Sequence, residues 1–99
     1  MRPEEIIELL RKHENELRAR GVAHAALFGS RARGDHRPDS DADIMVEIAR
    51  EAHISVWDYV GIVGSIEGAL SPLRVDVSDR SAQKAHVKPS AERDAIYAF

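Results

Sequence analysis

Apolar residues recur at helical spacing from the start of the chain, with Ile6, Leu10, His13 and Leu17 on one face. Pro3 suits a first helical turn, Glu4 and Glu5 suit the positive end of the helix dipole, and Gly21 ends the pattern. One helix from Pro3 to the approach of Gly21 is therefore predicted. The pattern then changes. Residues Ala23 to Phe28 form a short, mostly apolar run and Ala42 to Ile48 an alternating one, which predicts two strands. Gly29, Gly34 and Pro38 between them predict a loop with room for one helical turn.

Ser55-Val-Trp-Asp58 has capping-box spacing, with Asp in place of the usual Glu, and predicts a helix from Ser55 to near Leu70. Val56, Val60 and Val63 make one apolar stripe along it. Trp57, Gly61, Gly64 and Gly68 make a neighbouring stripe, which fits either close backbone packing or tolerance of weak helix formers. Leu73 to Val77 reads as a third strand, Ser78 to Pro89 as a polar connection, and Ser90 to Phe99 as a closing helix capped by Ser90. The order helix, strand, turn, strand, helix, strand, helix predicts an α/β (α+β) domain: a small mixed sheet of at least three strands with helices packed mainly on one face.

Composition narrows the class. Ninety-nine residues fit one compact domain spanning 1–99. A net charge of -3 disfavours nucleic acid as partner, and no aromatics are interleaved with the basic loop residues. The absence of cysteine excludes disulfides and thiolate metal sites. No apolar run approaches the ~20 residues needed to span a bilayer, and no signal-peptide pattern opens the chain, so a soluble, cytoplasmic protein without membrane attachment is expected.

The candidate chemistry lies in "LFGSRARGDHRPDSDADIMVEI", Leu27 to Ile48. Strand residues two apart share a face, so Asp41 and Asp43 point the same way with α-carbons about 6 to 7 Å apart. Asp76 interrupts the third strand between Val75 and Val77, and joins the pair if that strand lies beside the second. Three converging carboxylates repel one another, and a divalent cation relieves the repulsion. Oxygen ligands without His or Cys favour Mg²⁺, with Mn²⁺ as the alternative, and Mg²⁺ usually shares its shell with substrate phosphates. Two such ions ~3.5 to 4 Å apart suit in-line phosphoryl displacement. Gly29-Ser30 supplies a tight turn after a strand, where the backbone can approach phosphate, and Arg31 and Arg33 follow with phosphate-matching guanidinium groups. A solvated "PDSDAD" turn is the plainer reading of Asp41 and Asp43, and Asp76 weighs against it.

Gly29-Ser30, ten intervening residues and Asp41-x-Asp43 resemble the signature of the DNA polymerase beta superfamily of nucleotidyltransferases. The longer stretch, the Asp76 strand "LRVDV" and the closing "ERDAIYAF" resemble its minimal nucleotidyltransferase branch over nearly the whole chain. The resemblance implies the nucleotidyltransferase fold and an antitoxin that transfers AMP from ATP to a tyrosine hydroxyl of a HEPN ribonuclease toxin. It implies that Asp41 and Asp43 hold both metals and that Asp76 helps hold the one activating the acceptor. Gly29 and Ser30 would bind the triphosphate, with Arg33 near phosphate or in an ion pair and Ser40 shaping the turn before the acids. Ala42 stands where the family more often has Ile or Leu. Two rivals remain: an antitoxin that neutralises by occlusion, and adenylyl transfer to a small molecule, whose enzymes usually carry an extra helical domain. Retention of all three acids disfavours a lapsed enzyme. Homo-oligomerisation is left open.

The five histidines, His13, His24, His36, His53 and His86, show no ligand spacing and default to surface or turn positions. Arg31, Arg33 and Arg37 form a local basic patch, Trp57 and Tyr59 are expected in the core, and Tyr97 and Phe99 in the core or an interface.

Overall fold

The structure is a computed structural model and describes residues 2–34, 41–80 and 95–99. Its elements are α1 (Pro3–Lys12), α2 (Glu14–Ala19), β1 (Val22–Phe28), α3 (Ser30–Arg33), β2 (Ala42–Ile48), α4 (Val56–Leu70), β3 (Val75–Asp79) and β4 (Ile96–Tyr97). The strands form one mixed sheet in the order β3-β2-β1-β4, with β2 parallel to β3 and the β1 pairings antiparallel.

The expected first helix is two helices. At His13 the backbone turns to φ -102° and ψ 10°, and the ring Nδ1 lies 2.9 Å from the Leu9 carbonyl oxygen. The apolar stripe survives the break, since Ile6, Leu10 and Leu17 are all fully buried. β1 has its own irregularity, a register shift between Val22 and His24. One extra residue there puts Val22 on the same face as Ala25 and Leu27, which strict alternation would not allow. All three join the main core.

That core lies between one sheet face and the helices. Ala42, Ile44 and Val46 of β2 meet Ile6 and Leu10 of α1 and Ile62, Ile66 and Leu70 of α4. Alternation along the strands sends Asp43, Met45, Glu47 and Asp76 to the opposite face. α4 starts as its sequence predicts: Ser55 Oγ accepts from the Asp58 N–H at 3.1 Å, and Asp58 Oδ2 accepts from the Ser55 N–H at 2.8 Å. Its buried edge is Ile62, Ile66 and Leu70. The valine stripe faces outward at its start, with Val56 76% and Val60 55% exposed, and Trp57 is 81% exposed rather than in the core. Tyr59 does pack against the core. Of the glycine stripe, Gly61 lies against the Arg20 guanidinium, whereas no described atom is within 4 Å of a Cβ built at Gly64 or Gly68. Of the two readings of the stripe, close packing within the chain applies at Gly61 and not at Gly64 or Gly68.

β3 sits two residues later than expected, because Val75 is the residue that pairs with Ala42 at the start of β2. Ser78 and Asp79 thus belong to the strand rather than to the polar connection. The closing helix is corrected over its described part: Ile96 and Tyr97 form a short edge strand opposite Leu27 and Ala26. The free edge of β1 offers them ladder bonds, which the Ala98 N–H extends to the Ala25 carbonyl at 2.8 Å. Residues 90–94 lie outside the described part. No described helix is long and apolar enough to cross a membrane.

Two substitutions test this division of faces by chemical denaturation followed by circular dichroism. Ile44→Ala should cost about 2 to 5 kcal/mol, the range for truncating a buried aliphatic side chain. Trp57→Ala should stay within about 0.5 kcal/mol.

Candidate active site

Antiparallel pairing sets Phe28 opposite Asp43, so the residue after β1 turns directly over that carboxylate. The residue is Gly29, at φ +76°. A Cβ there would stand 2.5 Å from Asp43 Oδ2, so glycine is required both for the backbone angle and for the space the carboxylate fills. Ser30 then opens α3, and the Arg33 N–H closes its single turn on the Gly29 carbonyl at 3.1 Å.

The acids come from two neighbouring strands. The parallel register pairs Asp43 with Asp76, which places their side chains next to each other on the same face. Asp76 is exposed and Asp43 half-buried. Burial pushes the Asp43 carboxyl above the usual carboxylate range, the negative charges of Asp76 and Asp41 push it further, and the Arg33 guanidinium pulls it back. Asp41, exposed just before β2, accepts an ion pair from Arg74, with Nε 3.2 Å from Oδ1.

The structure thus brings Gly29, Asp43 and Asp76 together, with Arg33 near enough to act on Asp43, and turns Asp41 toward Arg74. Among the described residues no three acidic or histidine side chains stand close enough to hold one metal ion together. The donor set still fits a hard divalent cation: Asp43 and Asp76 offer oxygens only, their charges repel, and Mg²⁺ commonly takes one or two carboxylates alongside phosphate oxygens. Ser40, His36 and Arg37 lie outside the described residues. Arg31, read with Arg33 and Arg37 as a local basic patch suited to phosphate, is 2% exposed, so its guanidinium is withdrawn from solvent while Arg33 is exposed.

Two neighbours of the acids escaped the sequence reading. Arg74 is an arginine directly before an acid-bearing strand, a signal present in "LRVDV". The Tyr59 phenol is pushed up by burial and by the charges of Asp79 and Asp76. It sits on α4, far along the chain from either strand, and nothing in local sequence announces that proximity.

The nucleotidyltransferase domain model matches residues 10–98 of the chain. A Methanocaldococcus jannaschii protein, MJ1379, named provisionally as a protein adenylyltransferase, is 41% identical over 95 residues covering 94% of each chain. Protein adenylyltransferase MntA of Thermococcus cleftensis is 37% identical over 95 residues, covering 95% of this chain and 93% of its own. A solved toxin–antitoxin structure with AMP-PNP superposes with a TM-score of 0.66 at 20% identity, covering 100% of this chain and 73% of that one. On the domain match and the two relatives, this chain belongs to the nucleotidyltransferase domain family.

Proposed function

We propose that this protein is a cytoplasmic, single-domain adenylyltransferase that moves AMP from ATP to a hydroxyl of a partner protein, a tyrosine of a cognate HEPN ribonuclease toxin, and so acts as its antitoxin. The observation that carries this reading is the register of β2 and β3, which sets two carboxylates in one row, with Asp43 directly beneath the Gly29 turn. The adenylyltransferase names of two full-length relatives support the reaction, and the toxin–antitoxin neighbour supports the kind of partner.

In the reaction proposed, the acceptor oxygen attacks the α-phosphorus of ATP, the bond to the β-phosphate breaks, and pyrophosphate leaves. Gly29 and Ser30 bind the triphosphate through the tight turn, where the lack of a side chain lets phosphate approach the backbone. Arg33, exposed at the end of α3, adds a guanidinium for phosphate oxygens. Ser40 shapes the turn that delivers the acids. Asp41, Asp43 and Asp76 would hold two Mg²⁺ ions, or Mn²⁺ in their place, and such ions would supply charge stabilisation at the attacking and leaving oxygens. Asp76, exposed on the outer strand of the described sheet, would help hold the ion that activates the acceptor hydroxyl, and its exposure supports that role.

Incubation with Mg²⁺, labelled ATP and the protein encoded beside it should label that partner, and Asp43→Asn should abolish the labelling. A partner that is neutralised without being labelled would replace this reading with occlusion. The same variant carries a stability signature. Asp43 holds its proton more tightly folded than unfolded, so the native state binds more protons and stability falls as pH rises from the ordinary carboxylate pKa to the raised one. Without ligands, Asp43→Asn should therefore melt higher than wild type above that window and lose the difference below it. Gly29→Ala should lower kcat/KM at least tenfold and cost about 1 to 3 kcal/mol, because the new Cβ meets both a strained φ and the Asp43 carboxylate.

A further inference from the structure

The register that pairs Asp43 with Asp76 also fixes the row before it. Ala42 pairs with Val75, and the Ala42 N–H donates to the Arg74 carbonyl at 2.9 Å, so Asp41 and Arg74 are cross-strand neighbours two residues ahead of the acid pair. Residues two apart share a face, so the face opposite the core presents an Asp/Arg row followed by an Asp/Asp row about 6 to 7 Å further along. In the first row, Arg74 Nε lies 3.2 Å from Asp41 Oδ1, and the two side chains are 76% and 49% exposed.

An ion pair this exposed is weak, so a ligand that competes for Asp41 can displace the guanidinium from it. Its charge nevertheless opposes a second cation at Asp41, since both draw on the same carboxylate. Once turned away from Asp41, the side chain stands one row from Asp43, with β2 between it and the Gly29 turn, and a planar, permanently charged fork there suits the oxygens of a phosphate chain that reaches across from the turn.

We propose that Arg74 is an exchangeable counter-ion: it competes with a divalent cation for the Asp41 carboxylate and, when displaced, binds the triphosphate of the nucleotide. Metal and nucleotide then reinforce each other's binding through one side chain. The inference rests on the reading of the acids as cation ligands given above.

The two halves predict effects of opposite sign in one variant. By Mn²⁺ titration followed by electron paramagnetic resonance, Arg74→Ala should bind Mn²⁺ alone roughly twofold to fivefold more tightly than wild type, the range expected for releasing an exposed pair. With Mg²⁺ present, the same variant should bind AMP-PNP at least threefold more weakly by calorimetry. Arg74→Lys, which keeps the charge without the fork, should restore the wild-type Mn²⁺ affinity and only part of the nucleotide affinity. Mn²⁺ affinity equal to or below wild type in Arg74→Ala, or unchanged AMP-PNP binding, would overturn the proposal. Asp43→Asn separates the two readings: Mn²⁺ binding that this variant leaves intact would refute the acids as cation ligands, and the Arg74 proposal with them.

Discussion

Two like charges held in one row are the constraint on which the acidic face of this protein's sheet depends. Parallel pairing of β2 with β3 puts Asp43 beside Asp76, whose negative charge adds to burial in pushing the Asp43 carboxyl up. The sheet can impose the arrangement because its other face is committed: Ala42, Ile44 and Val46 are fully buried against α1 and α4. A slip of one residue would turn Asp43 and Glu47 inward with Met45 in place of these apolar side chains, so the hydrophobic effect on one side fixes the electrostatics on the other.

The surrounding pieces moderate that charge without cancelling it. Gly29 leaves its side-chain space to an Asp43 oxygen, Arg33 lowers the cost of ionising that group, and Arg74 pairs with Asp41. The site is therefore electrostatically unfinished in a specific sense. Its carboxylates lie within the influence of two guanidinium groups that are themselves exposed, and a ligand combining cations with a polyphosphate matches both signs at once.

Features governed by neighbours in sequence were legible before the structure. The Ser55-to-Asp58 cap, the span of β2 and the turn at Gly29-Ser30 follow from local patterns, and the spacing of glycine, serine and the two acids sufficed to suggest the family. Features governed by remote neighbours were not. The break at His13 interrupts no apolar period, so the pattern runs straight through it. Ile96 and Tyr97 become a strand because β1 has a free edge, a fact of tertiary structure. Trp57 was misplaced because aromatic residues usually belong to cores, whereas the outward side of α4 is set by which turn of the helix meets the sheet. Arg74 was overlooked because its importance depends on Asp41 lying across the ladder, some thirty residues away in the chain.

The position of Trp57 has a spectroscopic consequence. It is the chain's sole tryptophan and is 81% exposed, so its indole is already surrounded by water in the folded protein. Its emission will be red and solvent-quenched before denaturation begins, and loss of the core will change it little. What it reports well is its own surface. Any macromolecule that covers the start of α4 would shift the emission to the blue against a background that unfolding scarcely moves.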